Sequence, residues 1–464
     1  MQSSTKLQDG LPTYINEKQP ALNTSFSLRT ACCALAVAAT LAISFVFLPY
    51  GQLQISLIST KGLAPNRTNR LMPAPARSFD TGDLITCFDA DTGDVGNVAV
   101  QAVSFSPTPL AAGNIYFFAL PHPDGSQLPP RNPGSTISFR SSQSAKRPTV
   151  IVAVDINTHN DAVLPFDVCL FQRRGGAMGV GLIHTSAEGA SKQWPSVQVI
   201  VDIPAPTSAH AVAEDTSLET ALLGFTQIFN LTTPLETVNI DGVGSRISAE
   251  SLFARSIQIT GSAAISGTFN VTESLIIENV DASIDISVGM AYQARNHDEG
   301  DNASPVFVSL STTHSILRGQ MYLTTTDLTG QSPGVFDVTA KNADGALVIK
   351  FLDAPPGSTL HFHGQTSGAP SSVMLHPTYE GTFFGHTYGA SAMCRASVYD
   401  SSYDVPDPAA KQRFHHLRWD KTSDAFYHGF VGEAWWGKTW DRNESSSQGE
   451  VHMINRYAPV TLFV

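Results

Sequence analysis

The chain has 464 residues, of which 42% are hydrophobic and only 15% charged, with 35 glycines and 28 prolines. A sizeable core is therefore affordable, and low charge combined with abundant Ser, Thr, Gly and Pro argues against helical bundles and for a mainly β fold. The formal net charge is −12, and no dense Lys/Arg cluster follows residue 61, which argues against nucleic acid or anionic lipid as the partner of the large C-terminal region.

Residues 1–30 carry Gly, Pro, Gln, Ser and Asn with no hydrophobic period and read as a disordered cytoplasmic tail. Between Arg29 and Lys61 no side chain is charged, and Leu35, Val37, Leu41, Ile43, Phe45, Val46, Phe47 and Leu48 concentrate in 31–50. That run predicts a single transmembrane helix, placing the chain in a bilayer through residues 31–50. It follows a long polar tail and lacks a small-x-small cleavage site just beyond Leu48, so it reads as an uncleaved signal anchor. Cys32 and Cys33 at its start are either palmitoylation sites or thiols packed in lipid. Lys6, Lys18 and Arg29 before the run match Lys61, Arg67 and Arg70 after it, so flanking charge does not set the orientation. Sequons at Asn66, Asn230, Asn270, Asn302 and Asn443 follow the run, against one at Asn23 before it. They favour a C-terminal region outside the cell or in the secretory lumen. Residues 51–79, with Pro65, Pro73 and Pro75, read as a stalk.

From residue 80 to 205 short β-rich runs alternate with Pro- and Gly-rich turns: Leu84–Phe88, Val98–Phe105, Ile115–Leu120, Thr136–Phe139, Val150–Val154, Phe166–Phe171, Met178–Ile183 and Val197–Ile203. Runs at this spacing predict a β-sandwich-like domain. Cys87 and Cys169 are candidates for a disulfide in an oxidising compartment, leaving Cys394 odd. Residues 206–234 read as a linker, with Leu218, Leu222, Leu223, Phe225 and Phe229 spaced for a short helix.

Beyond it the sequence repeats. Ile247-Ser248 with Ser256-Ile257-Gln258-Ile259 recurs eighteen residues later as Ile265-Ser266 with Ser274-Leu275-Ile276-Ile277. NVTESLII at Asn270–Ile277 returns as NADGALVI at Asn342–Ile349, and ISGTFNV at Ile265–Val271 is echoed by ILRGQMYL at Ile316–Leu323. A period near eighteen with two apolar strands per unit predicts a β-solenoid over 235–464, with an insert at 400–424 breaking the rhythm. A meander of hairpins with coincidental spacing is the alternative.

These rungs, with APSSVMLHPTYEG at Ala369–Gly381, Asp407-Pro408-Ala409 and the ending Ala458–Val464, resemble a set of uncharacterised single-pass membrane proteins of basidiomycete fungi. The outer part of those proteins is similar to the bacterial putative-adhesin β-solenoid domain. The resemblance spans about residues 235–464 plus the apolar segment and implies an adhesin-like scaffold with no catalytic residues to carry over. Trp435, Trp436 and the His415-His416 insert depart from the common pattern.

Asp89, Asp91 and Asp94 resemble the start of an oxygen-rich calcium loop, although no glutamate stands at the twelfth position and an Asp-rich turn between strands is the preferred reading. His361 and His363 share one strand face, and His376, His386, His415, His416, His428 and His452 lie in the same region without a fixed ligand spacing. Trp435, Trp436 and Trp440 with Tyr427 offer a platform for sugar stacking, yet adjacent tryptophans on a strand point to opposite faces and one is expected in the core. Asp281 and Asp285 have same-face strand spacing, which invites comparison with polysaccharide-cleaving β-helices. Gly175–Gly181 reads as a strand edge rather than a phosphate cradle, and HExxH, GxSxG and Walker motifs are absent. The expectation is a non-enzymatic, membrane-anchored surface or secretory-pathway glycoprotein scaffold without a cofactor, engaging a glycan, a wall or a cell-surface protein. The rival is a lumenal carbohydrate-active enzyme.

Overall fold

The computed structural model describes residues 79–88, 98–104, 114–120, 135–142, 149–155, 166–184, 197–204, 216–222, 224–293, 304–326, 333–395, 414–423, 427–437 and 449–464. All belong to one compact unit, Pro73–Val464. Every regular element among them is a strand. Of the expected membrane helix, sandwich and separate repeat domain, neither the helix nor a separate sandwich is found among the described residues. No helix of the described residues is long and apolar enough to cross a membrane, and the segment 31–50 lies outside them. The runs between 80 and 205 do not pair as a sandwich of their own, as their register shows.

In chain order the strands are β1 (Asp83–Phe88), β2 (Val98–Ser104), β3 (Ile115–Leu120), β4 (Thr136–Ser142), β5 (Thr149–Asp155), β6 (Phe166–Gln172), β7 (Met178–His184), β8 (Val197–Pro204) and β9 (Ser217–Ala221). Three long strands follow: β10 (Thr226–Gly242), β11 (Ile247–Gly261) and β12 (Ile265–Asn279). Then come β13 (Ile284–Tyr292), β14 (Val306–Thr312), β15 (Leu317–Thr325), β16 (Val335–Asn342), β17 (Leu347–Asp353), β18 (Thr359–Thr366) and β19 (Ser371–Met374). The last are β20 (Gly381–Tyr388), β21 (Ala392–Arg395), β22 (Phe414–Ser423), β23 (Tyr427–Gly437), β24 (Gly449–Asn455) and β25 (Val460–Phe463).

These strands form a parallel β coil with two columns. One column runs β4, β10, β11, β12, β13, β15, β17, β19, β25, β21, each strand parallel to the next. The other runs β3, β9, β10, β11, β12, β14, β16, β18, β24, β20, again in parallel. The long strands β10 to β12 belong to both columns, and register shifts between residues 229 and 235 in β10 and between 249 and 256 in β11 mark where each turns the corner. Because β3 and β4 continue the two columns, and β7 and β8 stack in parallel beyond them, half of the region read as a sandwich belongs to the same stack, and β6 with β1 and β5 with β2 add antiparallel strands beyond β7 and β8. The segment expected to be helical is strand β9, a turn at Gly224 (φ 82°) and the start of β10. Leu218, Leu222 and Phe229 are buried there, at most 1% exposed, so parallel partners on both sides decide the conformation.

Alternation builds the core. Ile247, Ile265, Ile284, Leu317 and Leu347 stand in register across five strands and are fully buried. Each such aliphatic side chain contributes about 2 kcal/mol of transfer free energy. In the other column Ile257 pairs with Leu275 and Ile259 with Ile277, each at most 1% exposed. The period is not constant: successive members of the row from Ile247 to Ser371 are 18, 19, 33, 30 and 24 residues apart. Rung length is free because only the strands must match, and connections lie outside the stack. Consequently NVTESLII and NADGALVI are not equivalent: Asn270 lies on β12 in one column, whereas Asn342 ends β16 in the other.

Where the second column hands over to the first, a line of buried polar residues runs along the corner: Asn279, Thr312, Asn342, Thr366, Asn455 and Thr387, paired in that order and each at most 3% exposed. Asn279 Nδ2 donates to the carbonyls of Ala263 and Ala282, both at 3.0 Å, and Asn342 Nδ2 donates to Ser315 and Ala346. Asn455 Nδ2 donates to Ala369 O at 2.8 Å while its Oδ1 accepts from the amides of Tyr457 and Ala458. The threonine hydroxyls donate to corner carbonyls, Thr312 to Ala282 and Thr387 to Ala458. A corner bends the backbone away from both ladders, and these side chains satisfy the groups it strands.

The order of rungs departs from the order of the sequence at the C-terminal end. β24 lies between β18 and β20, and β25 between β19 and β21, so the last rung of the chain is intercalated between two earlier ones. β23 then pairs antiparallel with β20, and β22, inside the expected insert, pairs antiparallel with β23. At the other end β3 lies between β7 and β9. Here Gly179 is fixed by packing, since a Cβ on it would stand 2.0 Å from the Tyr116 ring. Arg173 lies 4.0 Å over that ring, and burial pushes the Tyr116 phenol up to about 12.

Cys87 on β1 and Cys169 on β6 are opposite each other and disulfide-bonded, closing a sequence separation of 82 residues. Among the described residues the ladder of β1 is to β6 alone. Replacing both cysteines by alanine should therefore lower stability by about 2–4 kcal/mol and open residues 79–88 to proteolysis first, read by denaturant unfolding and limited digestion.

Candidate functional site

The intercalated rung assembles a surface that no continuous stretch of sequence contains. On β18, β24 and β20 the inward positions are Phe362, Val451 and Phe383, so the neighbouring residues face outward. Register places His363, His452 and Phe384 in one row and Gln365, Ile454 and His386 in the next. β23 extends the second row with Gly429 opposite His386, and then sets Tyr427 opposite Tyr388. The absence of a side chain at Gly429 leaves room for a stacked pair: the rings of His386 and Tyr427 lie 5.2 Å apart at 24°. Tyr388 meets both edge-on at 5.7 Å and is 48% exposed. Phe384 touches His386 at 5.2 Å and His452 at 5.8 Å. Aromatic faces, imidazole nitrogens and a phenol thus share one open patch.

Its electrostatics follow from the neighbours. Partial burial, the adjacent His452 and Lys341 hold His363 below the ordinary imidazole range, and burial and His452 do the same to His386. Both rings are therefore neutral at pH 7, and because Nδ1 of His386 is buried, Nε2 is the nitrogen of that ring left to meet a ligand. His452 Nε2 bonds Glu450 Oε1 at 2.8 Å, and His361 Nδ1 bonds Asp337 Oδ1 at 2.8 Å. Asp337, His361 and Glu450 form a row across three strands. Two rungs separate the carboxylates by about 9–10 Å of backbone, a spacing that alone would suit inverting glycoside hydrolysis. The imidazole of His361 stands between them, where a sugar ring would have to lie.

The remaining sequence candidates are dispersed. Asp89, Asp91, Asp94, Asn66, Asn302, Asn443 and Trp440 lie outside the described residues. Asn230 and Asn270 lie on β10 and β12 in the first column. Asp281 does not share a strand with Asp285: it sits at a corner with φ 66°, bonded to Thr313 and His314, while Asp285 faces Arg318 at 3.8 Å. Both Trp435 and Trp436 are buried, 8% and 5% exposed, one stacked on His416 and the other tilted against His415. The tryptophan platform is thus part of the packing, and the accessible rings are Tyr388 and Tyr427 with their histidine neighbours. Among the described residues no group of three or more His, Cys, Asp or Glu is arranged to hold a metal ion. His428 sits opposite Thr387 on β23, away from the outward row. Phe384 and Tyr388 escaped sequence reading because their cross-strand neighbours, His452 and Tyr427, come 68 and 39 residues later; the alternation TFFGHTY, with Phe383, Gly385 and Thr387 inward, was the available signal.

Two other histidines are structural. His376 is 2% exposed, with Nδ1 on Thr378 Oγ1 at 2.6 Å, and burial pushes it down to about 3. Burial and then His416 push His415 down to about 4. A base whose folded pKa lies below its unfolded value binds fewer protons when folded, so stability is full above about pH 6.5 and falls as the pH drops from there toward the folded values. His376 alone should cost about 2 kcal/mol at pH 5, and His376→Phe should flatten the acid limb of a stability-against-pH curve.

No family model and no curated protein matches the chain. A solved structure of a putative cell adhesion protein from Clostridium sporogenes ATCC 15579 is similar at 6% identity over 79% of this chain and 99% of that chain, with a TM-score of 0.17, which is too low to carry an argument about fold or function.

Proposed function

We propose that this chain is a non-catalytic β scaffold, placed outside the cell or in the secretory lumen, that adheres by binding glycan through the patch around Tyr388, Tyr427, His386 and His452. The observation that carries the reading is the intercalated rung, which sets the neutral imidazoles of His363 and His386 beside the rings of Phe384, Tyr388 and Tyr427. Pyranose rings present C–H faces to aromatic rings and hydroxyls to neutral donors and acceptors, and this patch supplies both. The disulfide between Cys87 and Cys169 and the surface sequons at Asn230 and Asn270 support the compartment. A cell-surface protein is the other partner such a patch would suit, and the same experiment separates them. On an array of neutral and acidic oligosaccharides the full chain should bind a subset, and Tyr388→Ala with Tyr427→Ala should weaken that binding at least tenfold without changing the circular dichroism spectrum. Binding that survives both substitutions, or an array with no signal, would count against glycan recognition here.

A further inference from the structure

The outer face of the first column carries a second feature, away from the patch. Phe253, Asn270, Gly289 and Tyr322 form one row across β11, β12, β13 and β15, each in register with the next. Asn270 opens the sequon Asn270-Val271-Thr272. Its side-chain Oδ1 rests over Gly289, only 2.2 Å from where a Cβ on that residue would be, so any larger residue at 289 would push the carboxamide away. Beyond the glycine the Tyr322 ring is 39% exposed. With Oδ1 on the sheet, Nδ2 is the outward atom of the carboxamide, and it makes no hydrogen bond among the described residues. At Asn230, by contrast, Nδ2 donates to Glu250 Oε2 at 2.8 Å.

We infer that Asn270 carries a glycan whose first N-acetylglucosamine lies along this row, over Gly289 and against the ring of Tyr322. The donor is an oligosaccharyl polyisoprenyl pyrophosphate. One N–H of the carboxamide is exchanged for a bond from Nδ2 to the sugar's anomeric carbon, the lipid pyrophosphate leaves from that carbon, and the lost proton goes to the medium. Adjacent strands are about 4.8 Å apart, so a pyranose attached at Asn270 spans the glycine and reaches the tyrosine two strands away. A sugar C–H face on a tyrosine ring is a stacking contact, and the missing side chain at Gly289 is what lets the carboxamide lean toward that ring. The seat is intramolecular: it covers an exposed ring and holds the glycan flat on the coil instead of leaving it in solvent.

This inference rests on the lumenal or extracellular placement proposed above, and the test keeps the two apart. The full chain is expressed in a eukaryotic host, occupancy at Asn230 and Asn270 is read by peptide mass spectrometry, and the native protein is digested with an endoglycosidase that cuts between the first two sugars. The glycan on Asn270 should be released about tenfold more slowly than that on Asn230. Tyr322→Ala should remove the difference, and Tyr322→Phe, which keeps the ring, should retain it. Sequons empty at both positions would overturn the compartment and the seat together. Asn230 occupied with Asn270 empty would overturn the seat alone, as would equal release rates in the unaltered chain or a slow rate that persists in Tyr322→Ala.

Discussion

Leu275→Asp should destabilise the coil by about 4 kcal/mol or more, the largest effect expected of any single change in this protein. Leu275 is fully buried and in register with Ile257 on one side and Val308 on the other. A carboxyl group there has only aliphatic neighbours along the row, so it must either ionise without a partner or protonate without one. Each coil rests on the coils either side, and a fault in β12 deprives both columns of support, because that strand belongs to both. The comparison is Glu273→Ala at the nearby corner. Glu273 bonds Arg255, which also bonds Glu236 at 2.8 Å, but these groups are 30–42% exposed. An exposed ion pair is worth under about 1 kcal/mol, and the loss should stay below that. Denaturant unfolding of both variants checks the contrast, and similar losses would mean that the rungs do not share a core.

Asn455→Leu is expected to cost about 2–3 kcal/mol although it keeps the branching of the side chain at Cγ. The residue is fully buried and its amide serves Ala369 of the neighbouring rung together with Tyr457 and Ala458 of its own corner. Leucine strands the Ala458 amide and takes one of two partners from Ala369 O and Tyr457 N, which keep Thr366 and Ser367, and a stranded buried polar group costs about 1–3 kcal/mol. Thr366→Val removes one hydroxyl donor, to Ala369 O at 3.2 Å, and should cost about 1 kcal/mol. Since Asn455 ends the intercalated strand, its loss should also raise hydrogen exchange across 449–463 before the rest of the coil, which amide exchange by mass spectrometry resolves.

Much of the secondary structure was legible, and its arrangement was not. Runs such as Ile115–Leu120 and Met178–Ile183 coincide with β3 and β7 to within a residue, because alternation and turn residues are local properties. The pairing of β3 with β7 and β9 is not local: burial on both faces looks the same whether the partner is a hairpin neighbour or a coil a hundred residues away. Leu218 to Phe229 looked helical because β9 and the start of β10, on either side of Gly224, happened to place apolar residues at helical intervals. The eighteen-residue echo was visible only where consecutive strands are directly joined, from Ile247 to Ile277, and faded once connections of variable length intervened. The corner line left a trace in the sequence. NVDAS, TTHSI, NADGA, TSGAP, TYGAS and NRYAP each open with Asn or Thr and continue through small, turn-forming residues, but the meaning of that first residue depends on a bend that only the stack reveals. The functional patch was least legible, since His363, His452, Phe384 and Tyr427 converge only after the final rung has been inserted out of order.

That insertion is the claim on which the site depends, and paired cysteines test it directly. Gln365, Ile454 and His386 face outward in one row, with Ile454 in the middle. In-register neighbours on parallel strands are about 4.8 Å apart, within the range a disulfide spans, while residues two strands apart are not. Under mild oxidation Gln365→Cys combined with Ile454→Cys should crosslink, as should Ile454→Cys with His386→Cys, and peptide mapping should recover both linkages. Gln365→Cys combined with His386→Cys should remain reduced. A crosslink between positions 365 and 386, with none to 454, would place β18 directly beside β20 and contradict both the order of the rungs and the patch built from it.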